Sequence, residues 1–78
     1  MATSLLAVVN EVLANKGQPP VDELELSLRW RDDIGFESLD LAELTVRIEE
    51  QFGVDVFADG VVTTVGEVAR KLEKAGQT

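Results

Sequence analysis

The sequence predicts a small all-α domain, a four-helix bundle with three principal helices, a short third element and a long first loop. Three observations predict it. Apolar residues recur at spacings of three and four in three separate segments, as they do along one face of an α-helix. Each segment opens on a serine or threonine and is followed by a glycine, the residues that begin and end helices. The chain has 78 residues, enough for one modest core, so residues 1–78 are read as a single domain.

The first helix is expected over residues 4–16. Leu5, Leu6, Val9, Val12 and Leu13 lie at helical spacing behind Thr3 and Ser4, either of which can cap, and Gly17 with Pro19 and Pro20 stops the pattern. Asn10 and Glu11 interrupt the apolar run and no basic stretch precedes it. The segment therefore lacks the form of a secretory signal and falls short of the roughly 20 apolar residues that a membrane span needs. Cytoplasmic residence is the resulting expectation. In residues 17–37, Leu24, Leu26, Leu28 and Trp30 alternate as in a strand, and Ile34 follows. No second strand is evident to pair with them, so the segment is read as a long loop tacked to the core, and loops of this length are often functional.

The helical pattern returns from Ser38 to Phe52. Leu41, Leu44, Ile48 and Phe52, with Thr45 beside them, form the face expected to be buried, and Gly53 ends the helix. Leu39 and Val46 fall on a different side, among Asp40, Glu43, Arg47 and Glu50. Two apolar residues ringed by charge form either a small docking patch or ordinary scattered surface groups. Beyond Gly53, Val54, Val56 and Phe57 can anchor a turn or a one-turn helix. Thr64 and Glu67 then match a capping box, which starts a last helix over residues 65–75 with Val65, Val68, Ala69 and Leu72 inward. Lys71 and Lys74 complement its dipole and Gly76 closes it.

Net charge is −8, and residues 21–52 alone carry −7. Such a field repels nucleic acid and anionic lipid, opposes self-association and so favours a monomer, and steers basic protein surfaces toward the middle of the chain. A plain solubilising surface would look the same. No cysteine is present, so the chain can build neither a disulfide nor a thiolate metal site, and a reducing compartment is expected.

Ser38 is one of three serines in a chain without histidine. A serine nucleophile normally needs a base beside it, and the lysines, Lys16, Lys71 and Lys74, are expected at exposed helix ends, so catalysis is not expected. A calcium loop starting at Asp55 would find Asp59 and Gly60 in place, but Phe57 and Gly66 stand where two oxygen ligands are required, and no metal site is predicted. By itself Ser38 reads as the cap of the second helix, exposed where unpaired backbone amides favour nearby negative charge.

The stretch DDIGFESLDLAEL resembles the attachment motif of acyl carrier proteins, with Asp33, Ile34, Gly35, Ser38, Leu39, Asp40, Glu43 and Leu44 matching in type and spacing. The likeness continues through IEEQFGVDV and TTVGEV and covers most of the chain. The resemblance implies a bundle of the acyl-carrier type and a 4′-phosphopantetheine, derived from coenzyme A, on Ser38. Its terminal thiol would hold acyl or aminoacyl groups as thioesters in fatty acid, polyketide or related biosynthesis. A protein without cysteine must import such a thiol. The implied partners are a phosphopantetheinyl transferase, a loading enzyme and downstream synthase enzymes, meeting the second helix at Glu37, Leu39, Asp40, Glu43, Val46, Arg47 and Glu50. Three departures stand out. Glu37 replaces the usual aspartate before the serine, the segment between Val56 and Thr63 looks shortened, and Trp30 and Phe36 are bulky near the attachment loop, which implies less room for a long acyl chain. The other functional reading is an unmodified acidic helical adaptor for a basic protein partner.

Overall fold

The computed structural model describes residues 4–58, 60 and 62–76. Three helices follow one another, α1 (Leu5–Asn15), α2 (Ser38–Phe52) and α3 (Val65–Lys74). Among the described residues the only strand-like pairing is a single antiparallel bridge between Arg29 and Thr64. The all-α expectation is met, and the three principal helices fall where their apolar spacing placed them.

Helix α1 begins where Ser4, in extended conformation, accepts the Ala7 amide on its hydroxyl at 3.1 Å. Thr3, the other candidate cap, lies outside the described residues. Val8, Val9, Val12 and Leu13 are buried along one face. Asn10, which broke the apolar run in sequence, has a structural task. Its side chain donates to the Val21 carbonyl at 3.1 Å and accepts the Val21 amide at 2.9 Å, pinning the start of the long loop to α1.

Leu41, Leu44 and Ile48 bury the inner face of α2, with Phe52 and Thr45 half-buried at its margin. The Thr45 hydroxyl donates to the Leu41 carbonyl at 2.9 Å, so this polar group beside the core is satisfied within its own helix. In α3, Val65, Val68 and Leu72 are buried and Ala69 is half-buried. Thr64 Oγ1 accepts the Glu67 amide at 3.3 Å, while Glu67 reaches back to the amide of Thr63, at 3.1 Å, and not to that of Thr64. The capping box is therefore displaced by one residue. Between α2 and α3, Val56 is fully buried and residues 56–58 form a turn, with no helix there among the described residues.

The long loop departs from the sequence reading. It does find a strand-like partner, the short segment leading into α3. Trp30 donates its amide to the Thr63 carbonyl at 3.0 Å, and the amides of Val65 and Gly66 donate to the carbonyls of Leu28 and Leu26, both at 2.9 Å. Gly66 suits this approach, since a Cβ there would stand a tight 3.0 Å from the Leu26 carbonyl oxygen. The alternation of leucines is only partly inward. Trp30 is buried and Leu24 and Leu28 are half-buried, but Leu26 is 64% exposed.

Trp30 is the largest buried side chain. Its ring stacks on Phe36 with centroids 5.9 Å apart and planes 9° from parallel, and its Nε1 donates to the Thr64 carbonyl at 3.1 Å. One side chain thus joins the loop, the start of α3 and the residue that leads into α2. Large aromatic truncations in a core typically cost about 3–5 kcal/mol, a large share of the stability of a domain this small. Trp30→Ala should therefore lose its cooperative thermal transition by circular dichroism or show it far below the wild type. Trp30→Phe, which can keep a stack but not the hydrogen bond, should fold with a loss of about 1–3 kcal/mol.

Candidate functional site

The approach to α2 is shaped residue by residue. Asp33 closes the turn before it, accepting the Arg29 Nε at 3.1 Å and the Arg29 amide at 2.7 Å, and the guanidinium first and the amide second hold the Asp33 carboxyl below its usual range. Gly35 follows at φ +86, a left-handed conformation that side chains disfavour. Phe36 then drops into the core, and Glu37 and Ser38 emerge into solvent.

The helix cap is Glu37, not Ser38. Glu37 has the extended backbone of a cap, Ser38 is the first helical residue, and Asp40 accepts the Glu37 amide at 2.8 Å. The Ser38 hydroxyl is thereby released from the capping role the sequence gave it. It accepts a hydrogen bond from Arg31 Nη2 at 2.8 Å and remains exposed. Beside it runs an open, mostly apolar groove of about 270 Å³, bordered by Arg31, Leu41, Ala42, Thr45 and Phe57.

The charged residues of α2 fall into two sets. Leu39 is 81% exposed and Val46 55%, with Glu37 and Glu50 also exposed. Asp40, Glu43 and Arg47 turn toward α1. Lys16 Nζ lies 2.6 Å from Asp40 and 3.2 Å from the Gly35 carbonyl, and 5.9 Å from the Phe36 ring centre. The Lys16 hydrogen bond is the main reason the Asp40 carboxyl is held below its ordinary value of 3.8, helped by the Glu37 amide. Glu43 accepts from Asn15 at 2.8 Å and from Arg47 at 2.9 Å, which depresses its carboxyl in that order of importance. Arg47 also pairs with Glu11. Lys16 is therefore not the exposed helix-end residue the sequence suggested, because it is clamped between α1 and the start of α2. Lys71 is likewise half-buried.

Arg31 and Phe57 were not singled out as site residues by sequence. Neither had a signal, since each reaches Ser38 or its groove across a loop. Asp55 spends its carboxylate on the Phe57 amide at 3.1 Å, a local turn contact, and Asp59 lies outside the described residues. Among the described residues no cluster could hold a metal ion, and no helix is long and apolar enough to cross a membrane.

A family profile described as "Phosphopantetheine attachment site" matches residues 3–72. An "Acyl carrier protein" of Rickettsia bellii (strain OSU 85-389) is 34% identical over 61 residues, 78% of this chain and 74% of that relative. An "Acyl carrier protein" of Sinorhizobium fredii and "Acyl carrier protein AcpP" of Rhizobium meliloti are each 44% identical over 46 residues, 56% of this chain and 59% of the relative. No solved structure gives a significant match. The residues at the start of α2 fit such a group: an exposed hydroxyl, a cation within hydrogen-bond range, and an open apolar groove alongside.

Two outcomes follow from the cap and its clamp. Aspartate is a favoured N-cap, so Glu37→Asp should raise stability by about 0.5 kcal/mol, readable as a gain of about 2–4 °C in a melting curve. Because the folded Asp40 carboxyl lies below its unfolded value, its contribution is complete above pH 3.8 and is lost as pH falls toward the folded value. Asp40→Asn should cost about 1–3 kcal/mol at neutral pH. Its loss of stability on acidification should be shallower than the wild type's, as urea titrations at stepped pH would show.

Proposed function

The chain belongs to the acyl carrier proteins, whose members carry phosphopantetheine and are carriers, not catalysts, and from that premise we propose that residues 1–78 form a single carrier domain with Ser38 as its attachment point. The observation that carries this reading is the Ser38 hydroxyl. It stands exposed on the first turn of α2, unused by the helix cap and next to a guanidinium.

In the proposed modification, a phosphopantetheinyl transferase joins the phosphopantetheine of coenzyme A to Ser38 Oγ as a phosphodiester. The bond to phosphorus replaces the one to the departing 3′,5′-ADP, and the hydroxyl proton is lost to the transferase or solvent. The group supplies a terminal thiol able to hold an acyl or aminoacyl cargo as a thioester. The chain's own residues do the rest. The clamp of Lys16 on Asp40 and Gly35 fixes the first turn of α2, so Ser38 is presented in one place. Tethering then lets successive partner enzymes meet the cargo at high effective concentration.

The docking face we propose is Leu39 and Val46 within the exposed carboxylates Glu37 and Glu50, with Glu43 at its edge. Asp40 and Arg47, though neighbours in sequence, act mainly by holding α2 to α1. A basic groove on a transferase, loading enzyme or synthase enzyme would be attracted by the charge and seated by the apolar pair. Trp30 and Phe36 fill the core behind the attachment loop, which supports a short acyl, polyketide or aminoacyl cargo over a long fatty chain. The lack of cysteine suits a reducing compartment, and the cytoplasm is the proposed location.

Incubated with coenzyme A and a broad-specificity transferase, the wild type should gain the mass of one phosphopantetheine and Ser38→Ala none. An unmodified wild type beside a modified control carrier would sink this reading. If such a protein bound a basic partner in a salt-sensitive way, and Ser38→Ala bound equally well, the acidic adaptor would take its place. Leu39→Ala and Glu50→Lys should keep the wild-type circular dichroism spectrum and slow modification by about threefold to tenfold.

A further inference from the structure

We propose that Arg31 is a positioning residue for the phosphodiester on Ser38, holding that anion at the mouth of the groove and so setting the direction in which the arm leaves. This rests on the reading of Ser38 as the attachment point.

The pairing of cations around α2 points to it. Lys16 is 2.6 Å from Asp40, Arg29 is 3.1 Å from Asp33 and 3.3 Å from Asp32, and Arg47 pairs with Glu43 and Glu11. Arg31 lies in the same acidic region and makes no ion pair among the described residues. Its Nη2 donates instead to the neutral Ser38 hydroxyl at 2.8 Å. A guanidinium on a hydroxyl makes a weaker contact than one on an anion. Esterification would change the partner from a hydroxyl to a phosphodiester carrying a full negative charge, and the planar fork of arginine matches two phosphate oxygens. No rearrangement of α2 is needed.

The position of Arg31 adds direction. It borders the groove that contains Ser38, Leu41 and Phe57, and also the neighbouring hollow formed with Trp30 and Val62. Trp30, the next residue back, is locked by its stack and its bond to Thr64. The backbone that carries Arg31 is thus anchored on one side. An anion held by Arg31 would start the first bonds of the arm along the apolar groove that Arg31 borders.

The test uses intact protein in three forms, wild type, Arg31→Gln and Arg31→Lys, each converted with coenzyme A and checked by intact mass. Phosphorus NMR then reads the phosphodiester, with a phosphopantetheinyl-serine peptide as the unconstrained reference. The wild-type resonance should be displaced from the reference at low salt and move toward it as sodium chloride is raised. Arg31→Gln should lie at the reference position whatever the salt, and Arg31→Lys should recover part of the displacement. Melting curves of the unmodified variants should match the wild type, which separates this role from a structural one. Wild type and Arg31→Gln giving the same salt-insensitive resonance would overturn the role of Arg31 and leave Ser38 as the attachment point. A wild type that gains no mass would remove both readings together.

Discussion

The indole of Trp30 lies on Phe36 and holds the Thr64 carbonyl through Nε1, and the other features of the serine end are placed relative to it. Phe36 is two residues from Ser38, so a fixed Phe36 fixes where α2 can begin. Thr64 caps α3, so the same ring fixes where α3 can begin. The stretch between α1 and α2 would otherwise be a long segment with little reason to adopt one shape. Burial of a large aromatic pair, with its polar atom satisfied, supplies that reason. The Arg29 and Asp33 turn, the left-handed Gly35 and the approach of Gly66 to Leu26 all elaborate this arrangement.

Electrostatics divides labour on α2. A helix in a strongly acidic protein must be attached to its neighbours without losing the charge that faces outward. Lys16, Asn15 and Glu11 of the α1 end meet Asp40, Glu43 and Arg47, which binds the two helices along one flank. Glu37, Glu50, Leu39 and Val46 stay outside that network. Residues adjacent on a list of charges therefore have opposite duties, one set bonded inward and one available to solvent. Single surface ion pairs contribute little to stability, but Asp40 is largely sheltered and also accepts a backbone amide. Its role is closer to that of a cap than of a surface pair.

The helices were legible because their signals are periodic. Val8 to Leu13, Leu41 to Ile48 and Val65 to Leu72 repeat every three or four residues, and capping residues and glycines mark the ends. Three features left no such trace. The bridge between Arg29 and Thr64 is one residue long, so it has no period to detect, and the long loop looked unpartnered. Ser38 was read as the cap because serine is favoured there, yet the Asp40 contact with the Glu37 amide moves the boundary back by one residue and frees the hydroxyl. Arg31 meets Ser38 only because the intervening turn folds over, a contact that depends on three-dimensional placement. The family likeness was visible in the ordered residues around Ser38, whereas the duties of individual carboxylates required the neighbouring helix.

The pairing between the long loop and the segment entering α3 also ties the beginnings of two helices together. Helices α1 and α2 pack along each other, while the start of α3 and the two residues before it are joined to the loop by three backbone hydrogen bonds and the indole contact. The segment from Leu26 to Trp30 is thus a strut and not a tether. Trp30 holds the Thr64 carbonyl at the start of α3 and stacks on Phe36, which is next to the residue that caps α2. The start of α3 and the start of α2, where Ser38 sits, therefore share one buried side chain as their common anchor.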